Sequence, residues 1–251
     1  MIKQQRFRSN IYTFISIGAA GLVACLLFAA NLFSTDTISY GYSPVHPGTA
    51  APAPSLQSEY RSYVTPGADA IQALAGRAVS IEDAYEIANR WLYVPEQAFY
   101  GNADTWLSPS EFLTKTPAYT DNPLPGTPAG DCEEQANTLV SLLRAMGISP
   151  EEVRVVLGKV ASGAIDRGHV WVEIYINNVW LPLDPSQGSY WDVGNNVLIR
   201  RQGLPFFHYE SHPYPVPGIT AYYNDIYYME AGTLEGDFPE LWLVSDKSRE
   251  N

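Results

Sequence analysis

The chain has 251 residues, enough for one sizeable core with accessories but too few for two full domains of ordinary size. Three of its 15 basic residues precede Ser34 and all 27 acidic ones follow it, so the net charge of −12 becomes −15 over residues 34–251. That excess of carboxylates, with no basic run after Arg8, argues against a nucleic-acid partner.

Residues 1–10 carry Lys3, Arg6 and Arg8, and residues 11–33 (IYTFISIGAAGLVACLLFAANLF) contain no charge. At about 1.5 Å per residue the uncharged run spans the roughly 30 Å apolar layer of a bilayer, which predicts a transmembrane anchor. No Lys or Arg recurs until Arg61, so the positive-inside rule puts the N-terminus in the cytoplasm and the remainder outside the cell membrane. A cleaved signal peptide competes with this reading, but its apolar region usually runs only about 7–15 residues, and no small-x-small site follows Phe33. Leu22-Val23-Ala24-Cys25 resembles a lipoprotein cleavage box, yet the apolar run continues through Phe33.

Residues 34–58, with Pro44, Pro47, Pro52 and Pro54 among Gly, Ser, Thr and Ala, read as a stalk. The folded body is expected over 59–199, with 200–251 as its Tyr- and Pro-rich C-terminal extension of undecided structure. Ser80 can cap a helix whose apolar face is Ile81, Tyr85, Ala88, Trp91 and Leu92. A loop with Trp106 and Ser108-Pro109 follows, and Pro117–Gly130 is turn material leading to Asp131. Cys132 to Met146 predicts a helix, with Ala136, Leu139, Val140, Leu143 and Met146 at helical spacing and Gly147 as the stop. Val153–Val160 reads as a strand, Ala161–Arg167 as a connecting loop, and Gly168–Asp184 as a hairpin around Asn177-Asn178.

Of the two cysteines, Cys25 lies in the apolar segment, leaving Cys132 with no partner in the body. A lone thiol is commonly a small buried hydrophobe; its neighbours suggest otherwise. A two-residue turn at Asn177-Asn178 pairs Ile176 with Val179, Ile174 with Leu181 and Val172 with Leu183, all on one face. His169 and Asp184 then share the opposite face as diagonal neighbours, their α-carbons about 7–8 Å apart. Cys132, in the first turn of its helix, is favoured as a thiolate by the free amides, while Asp131, Glu133 and Glu134 oppose it, so a protonated His169 is the better activator. A Cys132–His169–Asp184 triad is the reading that uses these residues together.

Five blocks, Gly130-Asp-Cys-Glu-Glu-Gln-Ala, Leu142-Leu-Arg-Ala-Met-Gly-Ile, Arg154-Val-Val-Leu-Gly, Gly168-His-Val-Trp-Val-Glu-Ile and Trp180-Leu-Pro-Leu-Asp-Pro, occur in the order found in the transglutaminase-like superfamily of cysteine peptidases and acyltransferases. The resemblance spans about residues 80–190. It implies an α+β, papain-like core with the nucleophile helix packed on an antiparallel sheet, here preceded by the one transmembrane helix. It makes Cys132 the nucleophile, His169 the base and Asp184 the orienting acid. An upstream side chain is usual as second oxyanion donor beside the Cys132 amide, and Trp106 or Tyr100 is the candidate, though both also suit an aromatic core. Members resembling bacterial proteases hold calcium through acids flanking the nucleophile, which here would be Asp131, Glu133 and Glu134. The competing reading of those three is helix capping. No cofactor is required by the thiol chemistry itself.

The expected function is a membrane-anchored extracytoplasmic thiol hydrolase that cleaves amide bonds of a protein, peptide or wall polymer through an acyl-thioester. A protein-glutamine transglutaminase and a catalytically silent binding module are the alternatives. His208 and His212 have a spacing two metal ligands could use, without an evident third, and read as a surface loop.

Overall fold

The computed structural model describes residues 56–101, 105–162 and 165–244. The anchor expected at 11–33 lies outside them, and among the described residues no helix is long and apolar enough to cross a membrane. Helix α1 (Leu56–Ser62) begins inside the stretch read as stalk. Its Tyr60 gives it a reason to order, since that ring stacks on Tyr223 and Tyr228 at centroid distances of 5.3 and 6.2 Å.

Helix α2 (Asp69–Ala75) precedes α3 (Ile81–Ala88), which Ser80 caps by accepting the Asp83 amide at 3.1 Å. Helix α3 ends before its apolar face does. Leu92–Tyr93 becomes strand β1 instead, its amides donating to Pro128 and Ser189 at 2.9 and 3.0 Å, so tertiary pairing overrides helical periodicity there. After α4 (Gln97–Tyr100), the segment expected as a loop holds helix α5 (Pro109–Thr114). The reason is a capping box: the Ser108 hydroxyl accepts the Glu111 amide at 3.3 Å, Glu111 accepts the Ser108 amide at 3.2 Å, and Pro109 sits in the first turn.

Strand β2 (Ala129–Gly130) leads into α6 (Cys132–Ala145), and Gly147, at φ +95°, turns the chain after it. Residues 133–143 of α6 are buried without interruption, as expected of a helix enclosed on every side. It lies between α2, α3 and α5 on one side and the main sheet on the other.

The main sheet contains β3 (Val153–Ser162), β4 (Ile165–Ile176), β5 (Val179–Leu183), β8 (Gly218–Tyr223), β9 (Tyr228–Glu230) and β10 (Glu235–Asp237) in the order β10-β9-β8-β3-β4-β5. A smaller sheet, β2-β1-β6-β7, uses β6 (Tyr190–Asp192) and β7 (Val197–Ile199), and helix α7 (His208–Ser211) lies between β7 and β8. The described chain is thus a mixed α+β core. Ala161–Arg167, expected as a loop, is mostly strand: β3 and β4 pair out to Ser162 and Ile165. Asn177 and Asn178, at φ 51° and 65°, make the tight turn, and β4 pairs with β5 as Ile176–Val179, Ile174–Leu181 and Val172–Leu183.

The inner face of the sheet (Val155, Val172, Ile174, Leu183, Tyr223) packs on α6. The outer face buries Val156, Trp171, Trp180, Tyr222 and Met229 under Trp242. Arg154, paired across the ladder with Glu173 at 2.7 Å, lies on that outer face with its guanidinium 3.8 Å from the Trp180 ring and 3.7 Å from Tyr222. Two charges are buried there because each has the other as partner and aromatic faces cover the cation.

Candidate active site

The parallel pairing of β2 with β1 delivers Asp131 to the start of α6, where it is the N-cap and Cys132 the first helical residue. Glu134 folds back so that its Oε2 accepts the Asp131 amide at 3.1 Å. A Cβ on Gly130 would lie 2.9 Å from that same oxygen, so a larger residue there would push the Glu134 side chain aside. The Cys132 amide, in the first turn, has no acceptor within its own helix.

The backbone amide of Val170, the residue after His169 on β4, acts to lower the Cys132 thiol pKa. His169 is buried, and its Nε2 lies 2.9 Å from Asp184 Oδ2. Asp184 leaves β5 as the cap of a 3-10 turn (Pro185–Gln187) and is wholly buried. Its Oδ1 accepts the Ser186 amide at 3.1 Å and the Ser186 hydroxyl at 2.6 Å, and its Oδ2 also accepts Gln187 Nε2 at 2.7 Å and the Tyr214 hydroxyl at 2.9 Å. Burial works to raise the Asp184 pKa, but the His169 imidazole and the bonds from His169, Ser186 and Gln187 hold it below the usual carboxylate range. With Nε2–H donating to Asp184, the Nδ1 lone pair of His169 is the one left to act as base.

The other side of Cys132 is acidic. Its thiol donates to Glu133 Oε2 at 3.2 Å, and burial, then Glu133 and Asp131, push the thiol pKa well above its ordinary value. Burial and the neighbouring Glu133 raise Glu134 to about 8, and burial with Glu133 and Glu134 raises Asp131 well above the carboxylate range. Ligand atoms of Asp131, Cys132 and Glu133 lie within 4.8 Å of one another, as do those of Glu96, Glu133 and Glu134. Asp131 Oδ1 is buried without a hydrogen-bond partner. An oxygen-rich donor set with an orphaned carboxylate oxygen fits a hard divalent cation such as calcium.

Residues 77–185 match the family model of the transglutaminase-like superfamily. Over those residues, less than half of the chain, the protein is similar to that superfamily. No curated protein matches the chain. Among solved structures, a chain described as a cysteine protease from Cytophaga hutchinsonii is 19% identical, with a TM-score of 0.36 over 57% of this chain and 45% of that one. Legionella pneumophila LapG is similar in its calcium-bound form (17% identical, TM-score 0.40, 74% of this chain and 83% of that one) and its EGTA-treated form (18%, 0.40, 66% and 88%).

The two residues considered as oxyanion donors both lie in aromatic clusters. Trp106 packs against Tyr60 and Tyr63 at 5.5 and 5.1 Å, and the Tyr100 hydroxyl donates to that of Tyr119 at 3.2 Å. His208 and His212 stack on each other at 4.3 Å, and His212 is held by Ser211 and the His208 carbonyl. Two residues escape the sequence reading. Glu96 joins the acidic cluster from α4, and Tyr214 reaches Asp184 from a segment beyond the matched domain. Neither has a periodic or motif signal.

Proposed function

We propose that the chain is a membrane-anchored, extracytoplasmic thiol hydrolase that cleaves amide bonds of a protein, peptide or wall polymer. The observation that carries this reading is the buried His169–Asp184 pair at 2.9 Å, on the strand whose next backbone amide, that of Val170, favours the Cys132 thiolate. In the proposed reaction His169 Nδ1 takes the thiol proton and the sulfur attacks the amide carbonyl. The tetrahedral oxyanion forms beside the Cys132 amide, and collapse expels the amine, which leaves with the proton from His169. Water, deprotonated by His169, then attacks the acyl-thioester; the acid is released and the proton returns to sulfur. The anchor and its orientation rest on the charge asymmetry around residues 11–33.

Asp131, Glu133, Glu134 and Glu96 are proposed to hold a calcium ion. When bound, it would supply positive charge that offsets the carboxylate field on the thiol. Without such an offset burial, then Glu133 and Asp131, push the Cys132 thiol pKa well up, and that observation favours the second reading, a silent binding module.

Iodoacetamide alkylation of Cys132 in the full chain carrying Cys25→Ser separates the readings. The hydrolase reading expects fast alkylation near pH 6 with calcium present, lost in His169→Ala. A slow thiol that is indifferent to both calcium and His169 would leave the binding module. Amine incorporation in place of water would identify a transglutaminase.

A further inference from the structure

Asp184 accepts five hydrogen bonds: two from Ser186 on Oδ1, and those from His169, Gln187 and Tyr214 on Oδ2. A carboxylate offers about four lone-pair directions, so this one is saturated and its plane is fixed by its donors. Ser186 and Gln187 belong to the same turn as Asp184, so their bonds to it are local. Tyr214 is different. It lies 30 residues away, past the end of the matched domain at residue 185, and shares its acceptor oxygen with His169.

The rest of its surroundings hold it there. The Tyr214 ring packs against Trp171 at 5.4 Å and Tyr209 at 4.9 Å, and Trp171 in turn lies nearly parallel to the His169 ring at 6.2 Å. The next residue, Pro215, accepts the Ala161 amide at 2.8 Å, which ties this segment to the far end of β3. The phenol is kept protonated, as a donor, by its burial and by the Asp184 charge. It therefore opposes rotation of the Asp184 carboxylate that would release His169.

We infer that Tyr214 is a positioning residue: its hydroxyl locks the Asp184 carboxylate in the plane that holds His169, so the C-terminal segment completes the triad. This rests on the reading of Cys132, His169 and Asp184 as one catalytic unit. Tyr214→Phe keeps the ring on Trp171 and Tyr209 and deletes only the hydroxyl, so the fold is retained.

The test uses the full chain with isotope-labelled histidine and follows by NMR the exchange of the His169 Nε2 proton with water, in wild type, Tyr214→Phe and Asp184→Asn. Loss of one hydrogen bond to an ionised carboxylate is expected to speed that exchange roughly tenfold in Tyr214→Phe. Asp184→Asn is expected to speed it further, while thermal melting of Tyr214→Phe stays near wild type. Faster exchange in Asp184→Asn with none in Tyr214→Phe would overturn the role of Tyr214 and leave the triad standing. No change in either variant would remove the His169–Asp184 pair, and the role of Tyr214 with it.

Discussion

Cys132 is held between two opposing influences, the Val170 amide that favours its thiolate and the Glu133 carboxylate that accepts its proton. Burial is the largest obstacle to the thiolate and Glu133 the next, and Glu133→Gln removes the larger of the two carboxylate contributions. Without calcium, its Cys132 should be alkylated by iodoacetamide roughly tenfold faster at pH 7 than wild type, the effect of about one pKa unit, and added calcium should change it little. An unchanged rate would mean that burial alone suppresses the thiol. Asp184 makes the opposite contribution to stability. Its folded pKa is depressed, so its stabilisation is complete above the unfolded value of about 3.9 and is lost as the pH falls through the folded one. The melting-temperature gap between wild type and Asp184→Asn should therefore be constant at neutral pH and begin to close below about pH 4. A gap of one size from neutral to strongly acidic pH would show that the carboxylate charge is not what stabilises the fold.

Among the elements, β3 carries the most consequence, since it joins the hairpin bearing His169 and Asp184 to the strands of the C-terminal segment. Gly158 pairs with His169 on one side and Ile219 on the other, and the register with β8 shifts at that point. A Cβ there would lie 2.6 Å from the Gly218 carbonyl oxygen and 3.1 Å from the Ile219 α-carbon, which are backbone atoms that cannot swing aside. Gly158→Ala should cost roughly 1–3 kcal/mol in urea unfolding, the usual range for overpacking, and should weaken the β3–β8 amides in hydrogen exchange. Wild-type stability in this variant would show that β8 can shift to admit a methyl group.

At the scale of the whole molecule, the outer face of the sheet depends on residues far from the matched domain. Trp242 covers it, accepts the Arg154 guanidinium at its carbonyl at 3.1 Å and donates its indole N–H to the Glu151 carbonyl at 3.0 Å. Trp242→Ala would empty a buried position and open the Arg154–Glu173 pair to water. A loss of about 3–5 kcal/mol in denaturant unfolding is expected, as for other buried Trp→Ala changes. A loss below about 1 kcal/mol would mean that Tyr222 and Trp180 suffice to cover the pair. Residues 200–244 thus close the sheet edge at β3, cover its outer face and supply Tyr214 to Asp184.

The hairpin turn at Asn177-Asn178, its register, and a helix opening at Cys132 follow from the sequence by itself. Each depends on alternation, helical spacing or turn residues within a few positions, and such local signals survive without tertiary context. The capping box at Ser108-Pro109-Ser110-Glu111 was equally local and marks a helix that the reading of a loop overlooked. The early end of α3, Glu96 in the acidic cluster, the pairing of β8 with β3 and the hydrogen bond from Tyr214 to Asp184 were settled only by tertiary structure. These contacts join residues far apart in sequence, and no spacing rule encodes which distant strand or side chain best fills a given edge, pocket or unsatisfied acceptor.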